Sequence, residues 1–279
     1  MEIFELLNYQ FFQNAILGSI LASIACGIIG TYIVVRRLVF ISGGITHASL
    51  GGLGLGFYFG INPILSAMLF SILSSLGIEW LSAKQDVRKD SAIAVFWSLG
   101  MAVGIIFIFL KSGYAPNLSD YLFGNILTIT RTDIIYLAIL SAALIIVFTL
   151  FNKKILYISF DSDFAKTRNL PVRFIEYTMM FFIAVSIVLS IRLVGIVLLM
   201  SLLTVPQMTA NLFTANFVKM IFLSILFGLV GCVAGLILSY YLNVPSGAFI
   251  IFVQILLFLV CKGLIGAIQK RNLKLTSAQ

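Results

Sequence analysis

Apolar runs of about twenty residues recur along almost the whole chain, each parted from the next by a short polar or basic connection. That pattern fixes the solvent. A soluble core does not use so many uninterrupted runs, whereas a helical crossing of the hydrocarbon layer needs about 20 apolar residues. Of the 279 residues, 61% are hydrophobic and 10% charged, with mean hydropathy +1.13. Soluble domains carry roughly 25% charged residues, so most of this surface does not face water. The expectation is an all-α integral membrane protein, a single transmembrane domain over 1–279 with about nine spans and room for eight to ten. The runs lie near 12–35, 39–60, 62–83, 91–110, 133–151, 174–191, 193–213, 220–241 and 246–268. Only Arg192 interrupts the stretch between the sixth and the seventh.

The net charge of +8 does not point to nucleic acid, because the basic residues form no stripe with interleaved aromatics. They fall in clusters between spans, as the positive-inside rule demands. With the amino terminus outside, the cytoplasm receives Arg36, Arg37, Lys84, Arg88, Lys89, Lys153, Lys154, Lys166, Arg168, Arg173, Lys219, Lys270, Arg271 and Lys274. The other side receives Lys111, Arg131 and Arg192. Nine spans and a cytoplasmic carboxyl terminus follow. Cys26, Cys232 and Cys261 all lie inside apolar runs, with neither a disulfide framework nor zinc spacing. The acidic amino terminus does not read as a cleaved signal peptide.

Two connections exceed turns. Residues 111–132 mix aromatics with polar groups and read as an outer segment, either partly buried and re-entrant or interfacial. Residues 152–173 are charged and suit a short cytoplasmic helix, capped by Asp161 or Ser162 and stopped by Pro171.

The second span is unlike a lipid-facing helix. Gly44, Ala48, Gly52, Gly56 and Gly60 recur every fourth position, a small-residue strip that lets another backbone approach. The same span holds His47, the chain's one histidine. An ionisable residue at membrane depth is a functional candidate, and neutral imidazole is a common ligand of divalent transition metals. A histidine near the membrane surface or bonded between helices fits the residues equally well. Glu79, Glu176 and Lys262 fall near cytoplasmic helix ends, where long side chains snorkel. Pro206 removes a backbone donor from the seventh span, predicting a kink that is either structural or a gate. No phosphate-cradling Gly-rich loop with a following Lys is present, so the chain is not expected to hydrolyse ATP or to be an enzyme.

Four segments together resemble the permease subunits of bacterial ABC importers for zinc, manganese and iron(II), over nearly the full length. They are VVRRLVFISGGITHASLGGLGLG, LSDYLFGNILTIT, SFDSDFAKTRNLPV and RLVGIVLLMSLLTVPQMTANLF, in the family's order. The resemblance implies a multi-pass protein of the bacterial cytoplasmic membrane, paired with a second permease copy as a homodimer. It implies two further partners, a cytoplasmic ABC ATPase subunit and an extracytoplasmic metal-binding protein. It also implies a coupling segment near 159–173, with Asp161, Phe164, Ala165 and Leu170 at the ATPase contact. No cofactor is implied, only a transported divalent metal ion, with His47 as a ligand on its pathway. Family members carry Gly-Asp-x-x-x-His, a carboxylate and an imidazole one helical turn apart, whereas here Gly43 holds the aspartate position. Another group then replaces the carboxylate, or the ion passes with fewer protein ligands, or the cargo is a metal chelate. A membrane-embedded enzyme using His47 is the rival from another class.

Overall fold

The computed structural model describes residues 8–84, 87–111, 126 and 129–276, without the side chains of 192, 193 and 271–276. Among them the regular structure is helical: α1 (Gln10–Val35), α2 (Val39–Phe59), α3 (Pro63–Lys84), α4 (Lys89–Leu110), α5 (Arg131–Phe160), α6 (Ser162–Thr167), α7 (Val172–Leu202), α8 (Val205–Asn211), α9 (Phe217–Leu242) and α10 (Ser246–Thr276). Most of the outer connection read from the sequence at 111–132 lies outside the described residues.

Eight helical segments are long and apolar enough to cross a bilayer, and α2 is not among them. Its 21 residues nonetheless span about 31 Å at 1.5 Å per residue, the thickness of the hydrocarbon layer. Glycines, hydroxyls and His47 dilute its hydropathy, and it tolerates them because protein surrounds it rather than lipid. Ser42, Ser49 and the run Gly51–Leu53 are all buried. The buried hydroxyls bond back to their own helix: Ser42 Oγ donates to the Val39 carbonyl and Ser49 Oγ to that of Thr46. With α2, the membrane-length segments follow the order and the approximate bounds expected from the runs.

The helices fall into two groups sharing a seam. In the first, α2 packs between α3 and α4; in the second, α1 packs against α5, α9 and α8. Helix α7 touches both groups. It also breaks. Gly195 has φ 72 and ψ 169, a conformation open to glycine and little else, and divides the stretch into Val172–Ile191 and Val194–Asn211. A second break follows at Leu203 and Thr204. The expected Pro206 kink is therefore a restart: the proline sits in the first turn of α8, where the amide it lacks has no helical partner anyway.

Candidate ion pathway and coupling segment

The position of α2 depends on contacts that leave no room for a side chain. A Cβ on Gly54 would lie 2.5 Å from the Gly104 carbonyl oxygen, and one on Gly100 2.4 Å from the Ala48 Cα. Backbone meets backbone along α2 and α4. Of the strip read from the sequence, Gly44 faces Ile93 of α4, while Gly52 and Gly56 face Ser66, Ala67 and Pro63 of α3. Gly60 differs: nothing lies within 4 Å of its Cβ position, and its φ of 69 closes α2 with a left-handed cap. Gly51, Gly54, Gly100 and Gly104 escaped the four-residue spacing rule, since they lie on neighbouring faces or on another helix.

This packing leaves His47 half-buried on a helix otherwise enclosed at that level. Its imidazole stacks on the Trp97 indole of α4, with centroids 4.6 Å apart and planes 3° from parallel. Nδ1 is buried and has no hydrogen-bond partner. One turn earlier is Gly43, whose Cβ position lies 3.1 Å from the Met200 methyl carbon and 4.0 Å from Trp97. Met200 and Trp97 are both half-buried. Gly43, His47, Trp97 and Met200 thus cluster where α2, α4 and the part of α7 after its break meet, with Gly43 buried and the other three half-buried. The donors there are an imidazole and a thioether. The described residues hold no group of three or more His, Cys, Asp or Glu side chains able to cage a metal. A cation held here would need water or ligands from elsewhere to complete its shell. Neither Trp97 nor Met200 is marked by sequence, because both read as ordinary apolar positions of their spans.

At the end of the molecule carrying most basic residues, α6 lies between α5 and α7. Asp161 caps it, its carboxylate accepting from the Asp163 and Phe164 amides at 3.0 and 2.9 Å. Pro171 does not stop this helix. Asn169 ends it with φ 56, and Pro171 is the N-cap of α7. Ala165 is fully buried and Leu170 packs on the core, so both seat α6 on the protomer instead of facing outward. Phe164 is the exposed apolar residue, 44% accessible between the Tyr157 ring at 6.2 Å and the Arg168 guanidinium at 5.5 Å. Lys166 donates to Asp163 at 2.8 Å, holding that carboxyl below its usual range. Both groups are in open solvent, so the pair shapes the surface and adds little stability.

The membrane-end carboxylates are paired. Glu79 is buried and accepts from Lys89 Nζ at 2.9 Å, fastening α3 to α4. Glu176 pairs with Arg36, whose other nitrogen Nη1 donates to the Ile158 carbonyl at 2.7 Å. Lys262 lies 5.8 Å from the Phe258 ring.

Residues 8–263 match the model of the ABC 3 transport family. A membrane protein of Synechocystis is 43% identical over 256 residues, covering 92% of this chain and 91% of its own. A Listeria monocytogenes protein named as a manganese transport system membrane protein is 34% identical, covering 91% of both chains. Among solved structures, PsaBC from Streptococcus pneumoniae in complex with Fab superimposes with a TM-score of 0.81 at 33% identity, covering 93% of each chain.

Proposed function

This chain belongs to the ABC 3 transport family, and on that premise we propose that it is the membrane-spanning subunit of an ATP-driven importer for a divalent transition-metal ion. It is a multi-pass inner-membrane protein and a transport component rather than an enzyme. The observation that carries the metal reading is His47, a half-buried imidazole on a helix otherwise enclosed at that level. Nδ1 is shielded, so the accessible edge of the ring is the one that would meet a passing cation. The Met200 thioether, beside Gly43, is a second and softer donor nearby.

The cargo is manganese, iron(II) or zinc. The Listeria relative's name favours manganese, whereas imidazole with thioether suits the borderline ions iron(II) and zinc better. Without a carboxylate at 43 the site binds weakly and releases readily. Movement is supplied by a separate ATPase subunit docked on α6, through Phe164 and the rim residues Lys166 and Arg168. An extracytoplasmic binding protein delivers the ion, and a second copy of the chain completes the pathway.

The test is uptake by the complex of permease and ATPase in vesicles, supplied with its binding protein and each of the three ions. ATP-dependent accumulation of at least one supports the reading; hydrolysis that accumulates none of them ends it. Phe164→Asp places a charge on the apolar face of α6 without touching the protomer core. It should weaken ATPase binding by roughly tenfold or more, since burying an unpaired charge is expensive. A complex that assembles and transports normally with this change would remove α6 from the contact.

A further inference from the structure

We propose that Arg36 is a positioning residue for transport, tying the coupling segment to the helix that carries His47. The proposal rests on reading α6 as the ATPase contact. Arg36 stands at the C-cap of α1 and is only 14% exposed. Its Nη2 pairs with Glu176 in the first turns of α7, and its Nη1 donates to the carbonyl of Ile158, near the end of α5. The last four carbonyls of a helix lack partners within it, so a cation at that end both satisfies a carbonyl and suits the helix dipole. The two helices that Arg36 holds are the ones that flank α6. Ala165 and Leu170 seat α6 on them, so the three elements are fastened to one another.

The other side of the link is short. Arg37 has φ 56, Leu38 is buried, and α2 begins at Val39. From there His47 is eight residues on, about 12 Å along the axis. A shift of the α5–α6–α7 unit therefore reaches the first turn of α2 through one guanidinium and a two-residue corner. The planar fork matters, because two of its nitrogens serve two different helices at once. A lysine ammonium carries the charge on a single point and cannot reproduce that fixed geometry.

The experiment uses the permease–ATPase complex in vesicles with its binding protein and the ion that it transports. Arg36→Gln and Arg36→Lys are compared for ion taken up per ATP hydrolysed. Spin labels at Phe174→Cys and Phe59→Cys, both exposed sites, in a Cys261→Ser background report whether α7 and the far end of α2 move relative to each other when ATP is trapped. Arg36→Gln should hydrolyse ATP yet lose roughly tenfold in uptake per ATP, within the range known for residues on a coupling route. Its label distance should no longer respond to nucleotide as the wild type's does, and Arg36→Lys should fall between. Wild-type uptake per ATP in Arg36→Gln would overturn the proposal. So would failure of both variants to assemble, which would make Arg36 a folding residue. Tight coupling in Arg36→Gln alongside loss of ATPase binding in Phe164→Asp would sink the Arg36 role alone. Normal coupling in Phe164→Asp would remove the α6 reading and the proposal that rests on it.

Discussion

His47 and Gly43 lie in the same cluster one turn apart, and their surroundings make opposite demands. The imidazole is held by the Trp97 stack and keeps an unpartnered Nδ1. His47→Ala should therefore lower ion uptake by roughly tenfold or more, the scale of losing one charge-assisted contact. Because the ring makes no hydrogen bond that holds helices together, insertion and dimer content should stay as in the wild type. Wild-type uptake at limiting ion would leave His47 a packing residue. At 43 the obstacle is a methionine tip, which is flexible and yields. Gly43→Ala should thus be tolerated, and Gly43→Asp should raise ion affinity of the membrane domain and slow its release. Equilibrium binding and uptake, measured on the same preparations, separate these effects. As a candidate, His47 is legible from sequence because a titratable residue inside an apolar run stands out. Trp97 and Met200 are not, because they come to its side from two other helices.

Helix α2 shows how far spacing rules reach. Every fourth small residue in its sequence marks one face, and the structure uses at least three: toward α3, toward α4 and toward Met200. Partners such as Gly100 and Gly104 carry no signal of their own, since two glycines four apart occur on many membrane helices. The glycines consequently differ in tolerance. Gly54→Ala drives a methyl into the Gly104 backbone, and overpacking of this kind costs roughly 1–3 kcal/mol. Gly263 on α10 has nothing within 4 Å, and Gly263→Ala should gain up to about 1 kcal/mol in helix propensity. Thermal unfolding of the detergent-solubilised protein should lower the midpoint for the first and leave it unchanged or raised for the second. Equal midpoints would mean that α2 and α4 separate at no cost. The α7 breaks teach the complementary lesson. Pro206 announced an irregularity, but Gly195, one of 22 glycines, gave no sign that its φ would be positive.

The alternation of basic clusters and apolar runs made the membrane fold legible, because both follow from the bilayer and not from tertiary detail. What it left open was how charges at one end are used. Arg36, Glu176, Glu79 and Lys89 gather there as pairs between helices, and pairing of distant residues has no local signature. These contacts place the ends of α1, α3, α5 and α7 on one side with α6. The Lys111 ammonium, bonded to the Phe57 carbonyl, marks the other side together with Ile61. The orientation of this frame in the bilayer then becomes a single binary question. The charge bias predicts that the α6 side is cytoplasmic. Thr167→Cys and Ile61→Cys are suitable reporters, since both sites are exposed and neither packs in the core. Cys26 and Cys232 are buried, so with Cys261→Ser the background reaction of the native thiols should be low. In sealed cells an impermeant thiol reagent should modify Ile61→Cys and spare Thr167→Cys until the membrane is opened. The reverse pattern would invert the frame and put α6 beyond the reach of any cytoplasmic ATPase. Modification of both sites in sealed cells would mean that one of the crossings between them is miscounted.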